Sequence, residues 1–219
     1  MNETAKSRSW KQNPEAVKAD ILRVAREEFA RGGLSRTRIE DITARTKTSK
    51  RMVFYYFGDK ESLYRAVLED AYAEVRAAEA ELDIDGLAPD AALQKLAEFT
   101  FDHHRAHPDF IRLVMVENIH GGCHIAESDR FAEQNVGAIR MLERICQAGI
   151  EAGLFRPDVS ALALHWQISA MSFFNVSNRT TFAANFGNAL FEEAGQDMLR
   201  REAARAVVRG ALKTPEGEG

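Results

Sequence analysis

Thr37-Arg38-Ile39-Glu40-Asp41-Ile42-Thr43-Ala44-Arg45-Thr46-Lys47-Thr48-Ser49-Lys50-Arg51-Met52-Val53-Phe54-Tyr55-Tyr56-Phe57 decides the fold. Thr37 and Glu40 have the spacing of a capping box, in which hydroxyl and carboxylate satisfy each other's nearby backbone donors, and they open a short helix over 38–45. Ser49 is suited to cap a second helix over 50–57. Only Thr46-Lys47-Thr48-Ser49 separates the two. Two short helices on so brief a connection predict a helix-turn-helix.

The second helix divides into two faces. Val53 and Phe57, four apart, share the side that would pack on Ile39, Ile42 and Phe29, with Phe54 at its edge. The pairs Arg51 with Tyr55 and Met52 with Tyr56 point away, at about 100° per residue. Core packing does not require two tyrosines, a methionine, Lys50 and Arg51 on an outward face. A nucleic-acid groove does: cations neutralise phosphates, tyrosine hydroxyls donate to phosphate oxygens, and Arg51 and Met52 near the helix start reach base edges. Thr37 and Arg38 at one helix start, Lys60 at another and Thr48 in the turn complete the expected contact set. The alternative is that the tyrosines pack under the remaining helices and the polar residues are merely solvated.

Outward from this stretch the pattern stays helical. Asn13-Pro14 reads as an N-cap followed by proline at the first helical position, and Val17, Ile21, Ala25 and Phe29 recur until Gly32-Gly33. Asp59 caps a helix from Lys60 towards Leu82. Further helices are expected over about 90–106, from Phe110 to Ile119 (where a buried strand is the alternative), and over about 126–152, 158–179 and 187–212. No alternating strands or repeats appear. The chain is therefore all-α: a basic flexible tail over 1–12, a helix-turn-helix domain over 13–60, a larger helical domain over 61–212 and a flexible tail over 213–219.

Charge divides at the same place. The 219-residue chain carries a formal net charge of −4, yet residues 1–60 hold 14 Lys/Arg against 8 Asp/Glu. Polyanion affinity comes from local basic charge rather than from the total, so a basic head on an acidic body suits nucleic acid, although an uneven surface would look the same. A 45% apolar content with 14 Gly and 5 Pro excludes a disordered or collagen-like chain. There is no leading apolar run and no stretch of about 18 uncharged apolar residues, which argues against secretion or a membrane span. Cys123 and Cys146 lack CxxC spacing and read as reduced thiols, so a cytoplasmic location is expected.

The stretch Gly33-Leu34-Ser35-Arg36-Thr37-Arg38-Ile39-Glu40-Asp41-Ile42, then Ser49-Lys50, then Val53-Phe54-Tyr55-Tyr56-Phe57-Gly58-Asp59-Lys60-Glu61-Ser62-Leu63, resembles the DNA-binding domain of the tetracycline-repressor (TetR) family of bacterial regulators. The likeness covers about residues 15–68. It implies a homodimer on a palindromic operator, usually a repressor, released when a small molecule occupies the C-terminal domain. It also implies phosphate contacts from Ser49, Lys50, Tyr55, Tyr56 and Lys60, and base reading by Arg51 and Met52. Lys47 and Thr48 stand where the family commonly has Gly and Val, and a non-glycine residue in a left-handed turn costs about 1–2 kcal/mol. Arg51 replaces a frequent glycine.

All six histidines, His103, His104, His107, His120, His124 and His165, lie in the acidic body. His120-Gly121-Gly122-Cys123-His124 lacks the paired order of a structural zinc motif, and Cys123 lacks the company of a catalytic nucleophile. Neither metal, cofactor nor enzymatic activity is expected. An organic effector between facing helices is the preferred reading, with Trp166, Ser169, Phe173 and Asn175 on one wall and His103, Met115 and His120 opposite. Core packing is the alternative for each. Arg112 and Glu117 would pair or face solvent. Dimerisation is expected through 158–179 and 187–212, with Leu190, Phe191, Met198 and Val207 in the seam, unless these are buried inside one subunit. Effector binding would then act through the helix from Lys60 to Leu82. A constitutive DNA-binding regulator with a filled bundle core, or an all-α metal protein or enzyme, is the competing class.

Overall fold

The computed structural model describes residues 13–126 and 128–213. Eleven α-helices are placed among them: α1 Pro14–Arg36, α2 Ile39–Arg45, α3 Lys50–Phe57, α4 Lys60–Ala80, α5 Pro89–Ala106, α6 Pro108–Ile119, α7 Cys123–Ala126, α8 Asp129–Glu151, α9 Ala161–Ser177, α10 Arg179–Phe186 and α11 Glu193–Ala211. The Phe110–Ile119 stretch is helical, with Pro108 at its start. The expected last helix from about 187 is broken: Phe182 and Phe186, one turn apart, support the unforeseen α10, and a 3₁₀ turn, Ala189–Phe191, precedes α11. Among the described residues the β-structure is one isolated antiparallel bridge, Phe155 to Leu212. None of their helices is long and apolar enough to cross a membrane.

The chain forms two compact units. The first runs through Ala71 and takes in Arg112–Ser128, and the second comprises Tyr72–Ile111 and the chain from Asp129 onward. The expected boundary after Lys60 is thus displaced, with the first half of α4 in the first unit.

In the first unit Ile21, Val24, Ala25 and Phe29 of α1, Ile42 of α2, Val53 of α3 and Leu63, Val67 and Leu68 of α4 make one core. Phe29 meets the Tyr64 ring edge-on, with centroids 5.2 Å apart, a favourable aromatic geometry. Gly33 stops the regular turn of α1 at φ 68°, a left-handed conformation open to glycine. The chain then turns into α2, and Arg45 at the end of α2 reaches back to Glu28 (2.6 Å) and Glu27 on α1. Glu28 is buried, so this pair also satisfies a charge that would be costly alone.

The second unit is a bundle of α5, α8, α9 and α11 around Leu93, Leu96, Leu142, Ile145, Leu164, Ile168, Ala204 and Val207. Phe155 seals one end because Gly149 lets it in: a Cβ there would stand 2.1 Å from the ring. The backbone beside it clamps α11, with Arg156 N–H donating to Ala211 O at 3.0 Å and Lys213 N–H to Leu154 O at 2.9 Å. Asn175 and Gln196 exchange amide hydrogen bonds of 2.8 and 2.9 Å between α9 and α11.

Candidate nucleic-acid interface

The turn between α2 and α3 is built without strain. Ser49 caps α3, its hydroxyl accepting from Met52 N–H at 3.4 Å. Lys47 N–H donates to the Asp20 carboxylate at 3.2 Å. No described non-glycine residue has a positive φ. The expected left-handed penalty at Lys47 and Thr48 is therefore not incurred.

Val53 is sealed in the core while its neighbours are turned out. Ser49, Lys50 and Arg51 are exposed, Met52 and Tyr56 half-buried, and Tyr55 is 76% exposed. The Tyr55 and Tyr56 rings meet edge-on at 5.2 Å. Lys18 of α1 lies 5.8 Å from the Tyr56 centroid and Lys50 the same distance from that of Phe54, within cation–π range. Phe54, expected at the edge of the core face, is exposed. Two rings, their hydroxyls and several cations thus share one outward surface, as phosphate and base-edge contact requires.

Two members of the expected set are otherwise engaged. Thr37 is buried, and its hydroxyl donates to Gly33 O at 2.8 Å and Glu28 O at 3.0 Å, so it faces inward rather than towards a backbone phosphate. The expected Thr37–Glu40 capping box is replaced by one residue further on: Arg38 occupies the cap position and its N–H donates to Asp41 at 3.3 Å. Arg38 itself is exposed, Thr48 half-buried. Lys60 is half-buried and donates to Thr37 O at 3.4 Å. Lys50 pairs with Glu40, whose carboxyl is held below its usual range mainly by that hydrogen bond. Lys18 was missed by sequence reasoning: its place beside Tyr56 is tertiary, and nothing in the local α1 pattern signals it.

The expected effector residues are divided between the two units. A cavity of about 540 Å³ in the second unit is lined by Phe101, Met171, Phe174, Asn175, Phe182 and Phe191, among others. Of the seven residues expected, it takes Asn175. The face of α9 it uses, 170/171/174/175, neighbours the expected 166/169/173 face. Trp166 is 71% exposed, and Ser169 and Phe173 are half-buried. His103 is on α5, outside this lining, and Met115 and His120 fall in the first unit. Leu190 and Phe191, expected in a dimer seam, line the cavity. Val207 is fully buried in the bundle core, because 204, 207 and 211 form the inward face of α11. Met198 is exposed.

Glu117 neither pairs with Arg112 in solvent nor faces out. It is buried and accepts from His124 N–H (2.8 Å), Ile125 N–H (3.2 Å) and His124 Nδ1 (2.9 Å), fastening α7 to α6. Cys123 Sγ lies 3.4 Å from the same ring nitrogen. Among the described residues Glu117, Cys123 and His124 are the group that could hold a metal, but the carboxylate is already spent on the turn.

Comparison with known proteins agrees with this geometry. Residues 21–67 match the family described as bacterial regulatory proteins, tetR family, and residues 89–207 the tetracyclin repressor-like C-terminal domain. The chain is 35% identical over 182 residues, 83% of its length and 86% of the relative's, to the HTH-type transcriptional repressor NicS of Pseudomonas putida. It is 30% identical to the HTH-type transcriptional repressor SCO4008 of Streptomyces coelicolor, covering 90% and 97% of the two chains. A TetR family transcription regulator from Marinobacter aquaeolei shares the fold, with a TM-score of 0.72 and 18% identity over 93% of this chain and 100% of that one. With the outward basic and aromatic face of α3 and both family domains in their expected order, the chain belongs to the TetR family of DNA-binding transcriptional regulators and is not an enzyme.

Proposed function

We propose that the protein represses transcription by binding a palindromic operator as a homodimer, and that a small organic molecule held by the second unit releases it. The observation that carries the DNA half is the outward face of α3, where Lys50, Arg51, Tyr55 and Tyr56 stand clear of a core closed by Val53. A two-turn helix reads only a few base pairs, so specificity requires two copies spaced by about 34 Å per helical turn. Apolar side chains left exposed on α9 and α11, among them Leu162, Trp166 and Met198, support pairing through those helices. The names of the two relatives support repression.

The cavity lined by Phe101, Met171 and Asn175 supports an effector and weighs against the constitutive alternative, which calls for a filled bundle. A ligand shifts a two-state equilibrium only by its difference in affinity for the two states, and about 100-fold discrimination corresponds to roughly 2.7 kcal/mol. Selection of bound duplexes from a random pool tests the reading directly. A palindrome is expected, and Lys50→Ala with Tyr56→Ala should weaken capture roughly 100-fold while thermal stability holds. Recovery of no consensus, or undiminished capture by the double variant, would overturn it.

A further inference from the structure

The cavity of the second unit offers shape but little free chemical identity, since its walls are largely apolar, its amide, Asn175, is already paired with Gln196, and its carboxylate, Glu202, with Arg205. Unspent hydrogen-bonding capacity lies elsewhere in the same unit, on α4 and α5. His104 is only 7% exposed, and the buried Nδ1 atoms of His103 and His104 have no hydrogen-bond partner, nor has the buried Nε of Arg76. His107 shows the ordinary local solution, its Nδ1 lying 2.8 Å from His103 O one turn back. His103 and His104 do not adopt it. Buried polar atoms are nearly always paired with protein, water or a ligand, so three orphans on adjoining helices mark a place where a partner is due.

Their surroundings specify that partner. The His104 and Phe110 rings are 5.7 Å apart, and Tyr72 meets Phe110 and Phe131 edge-on at 5.1 Å each, so the orphaned atoms adjoin an aromatic cluster. Arg76 is ion-paired with Glu79, which cancels its charge locally. Burial pushes His103 down to about 4 and His104 to about 3, with the charges of Arg76 and the neighbouring histidines adding to the effect. His165 is lowered by burial and by Arg76, and Glu74 acts on His103 in the opposite sense. At neutral pH the imidazoles are uncharged. An ion of either sign entering here would give up its hydration to a buried wall whose imidazoles are neutral and whose Arg76 is already compensated by Glu79.

We propose that Arg76, His103 and His104 form the recognition point for the effector, and that it takes an uncharged ring compound presenting a carbonyl or ring-nitrogen acceptor. This rests on the effector reading above, narrows its ligand class, and moves its polar contact out of the cavity of Phe101, Met171 and Asn175, which none of the three residues lines. Arg76 Nε–H donates to the acceptor, an imidazole nitrogen donates or accepts according to tautomer, and the ring packs on the aromatic cluster.

A matched charge series tests it on the full-length protein: benzamide, benzoate and benzylamine, each titrated at pH 7.5 by calorimetry with an operator-binding assay alongside. Benzamide should saturate at millimolar concentration and bind about tenfold more tightly than either charged analogue. His104→Phe and Arg76→Met should each abolish that preference. The proposal is overturned if none of the three binds, if benzoate or benzylamine binds as well as benzamide, or if both folded variants keep the preference. Wild-type selectivity stands without the variants, should they fail to fold. Benzamide binding that leaves operator affinity unchanged would sustain the recognition point and defeat the effector reading. Operator release by a compound indifferent to His104 and Arg76 would do the reverse.

Discussion

The outward face of α3 and the interior of the second unit, where an effector is proposed to bind, advertise their chemistry differently. On α3 the signal is misplacement, with Tyr55 and its cations standing where a folded helix has no need of them. In the second unit polar groups are hidden among core residues, and a histidine such as His104 is indistinguishable in sequence from one satisfied in a core. A surface site breaks the pattern of amphipathic helices, whereas a buried site conforms to it.

The sharpest test of that contrast uses two residues of α11 that sequence reasoning treated alike. Val207 is fully buried and Met198 is 42% exposed. Val207→Asp buries an unpaired carboxylate in an apolar bundle and should cost more than about 4 kcal/mol, a large share of total stability. Urea denaturation would register it as loss of the cooperative transition near neutral pH. Met198→Asp should leave the midpoint nearly unchanged while sedimentation shows a shift from dimer to monomer and operator affinity falls. If Met198→Asp unfolds the protein instead, α11 is not the free face argued above.

A smaller effect separates the regions by pH. The folded-state pKa of His104 lies at about 3, below its ordinary 6.5. The unfolded chain therefore binds the proton more readily. Stability from this group is fully present above about pH 6.5 and falls as pH drops through the window towards 3, by up to about 1.4 kcal/mol per pH unit. Between pH 7 and 5 the loss should approach about 2 kcal/mol, read from urea midpoints. His104→Phe should remove most of that slope. A variant as acid-sensitive as the wild type would show that burial of this imidazole is not what is being titrated.

Much of the fold was legible because helix starts and stops are local. Asn13-Pro14 and Ser49 cap helices where the sequence places them, and the bounds of α2 and α3 follow within a residue. The outward-facing residues of α3 followed from counting faces on an eight-residue helix. What failed was tertiary. Thr37 has the right spacing for a capping box, but its hydroxyl is taken by Glu28 O and Gly33 O, carbonyls brought near by the break at Gly33. The cavity wall on α9 lies one position around the helix from the expected Trp166, Ser169 and Phe173, a rotation that periodicity cannot fix in a helix apolar on most sides. Lys18 beside Tyr56 depends on packing between α1 and α3, which no local pattern records.

The smallest effect concerns how ready the α3 face is to bind. In the free protein Lys50 is held by Glu40 across the turn, so reaching a phosphate requires exchanging one anion for another, while Glu40 itself stands near the approaching backbone. Exposed pairs are weak and easily broken. Glu40→Gln should therefore raise operator affinity by about two- to fivefold, whereas Lys50→Gln should lower it and reduce the slope of log affinity against log salt by about 0.9, the loss of one phosphate contact. Fluorescence anisotropy over a salt series measures both. If Glu40→Gln weakens binding instead, the carboxylate is aiming Lys50 rather than restraining it, and part of the α3 surface is organised by its neighbour before DNA arrives.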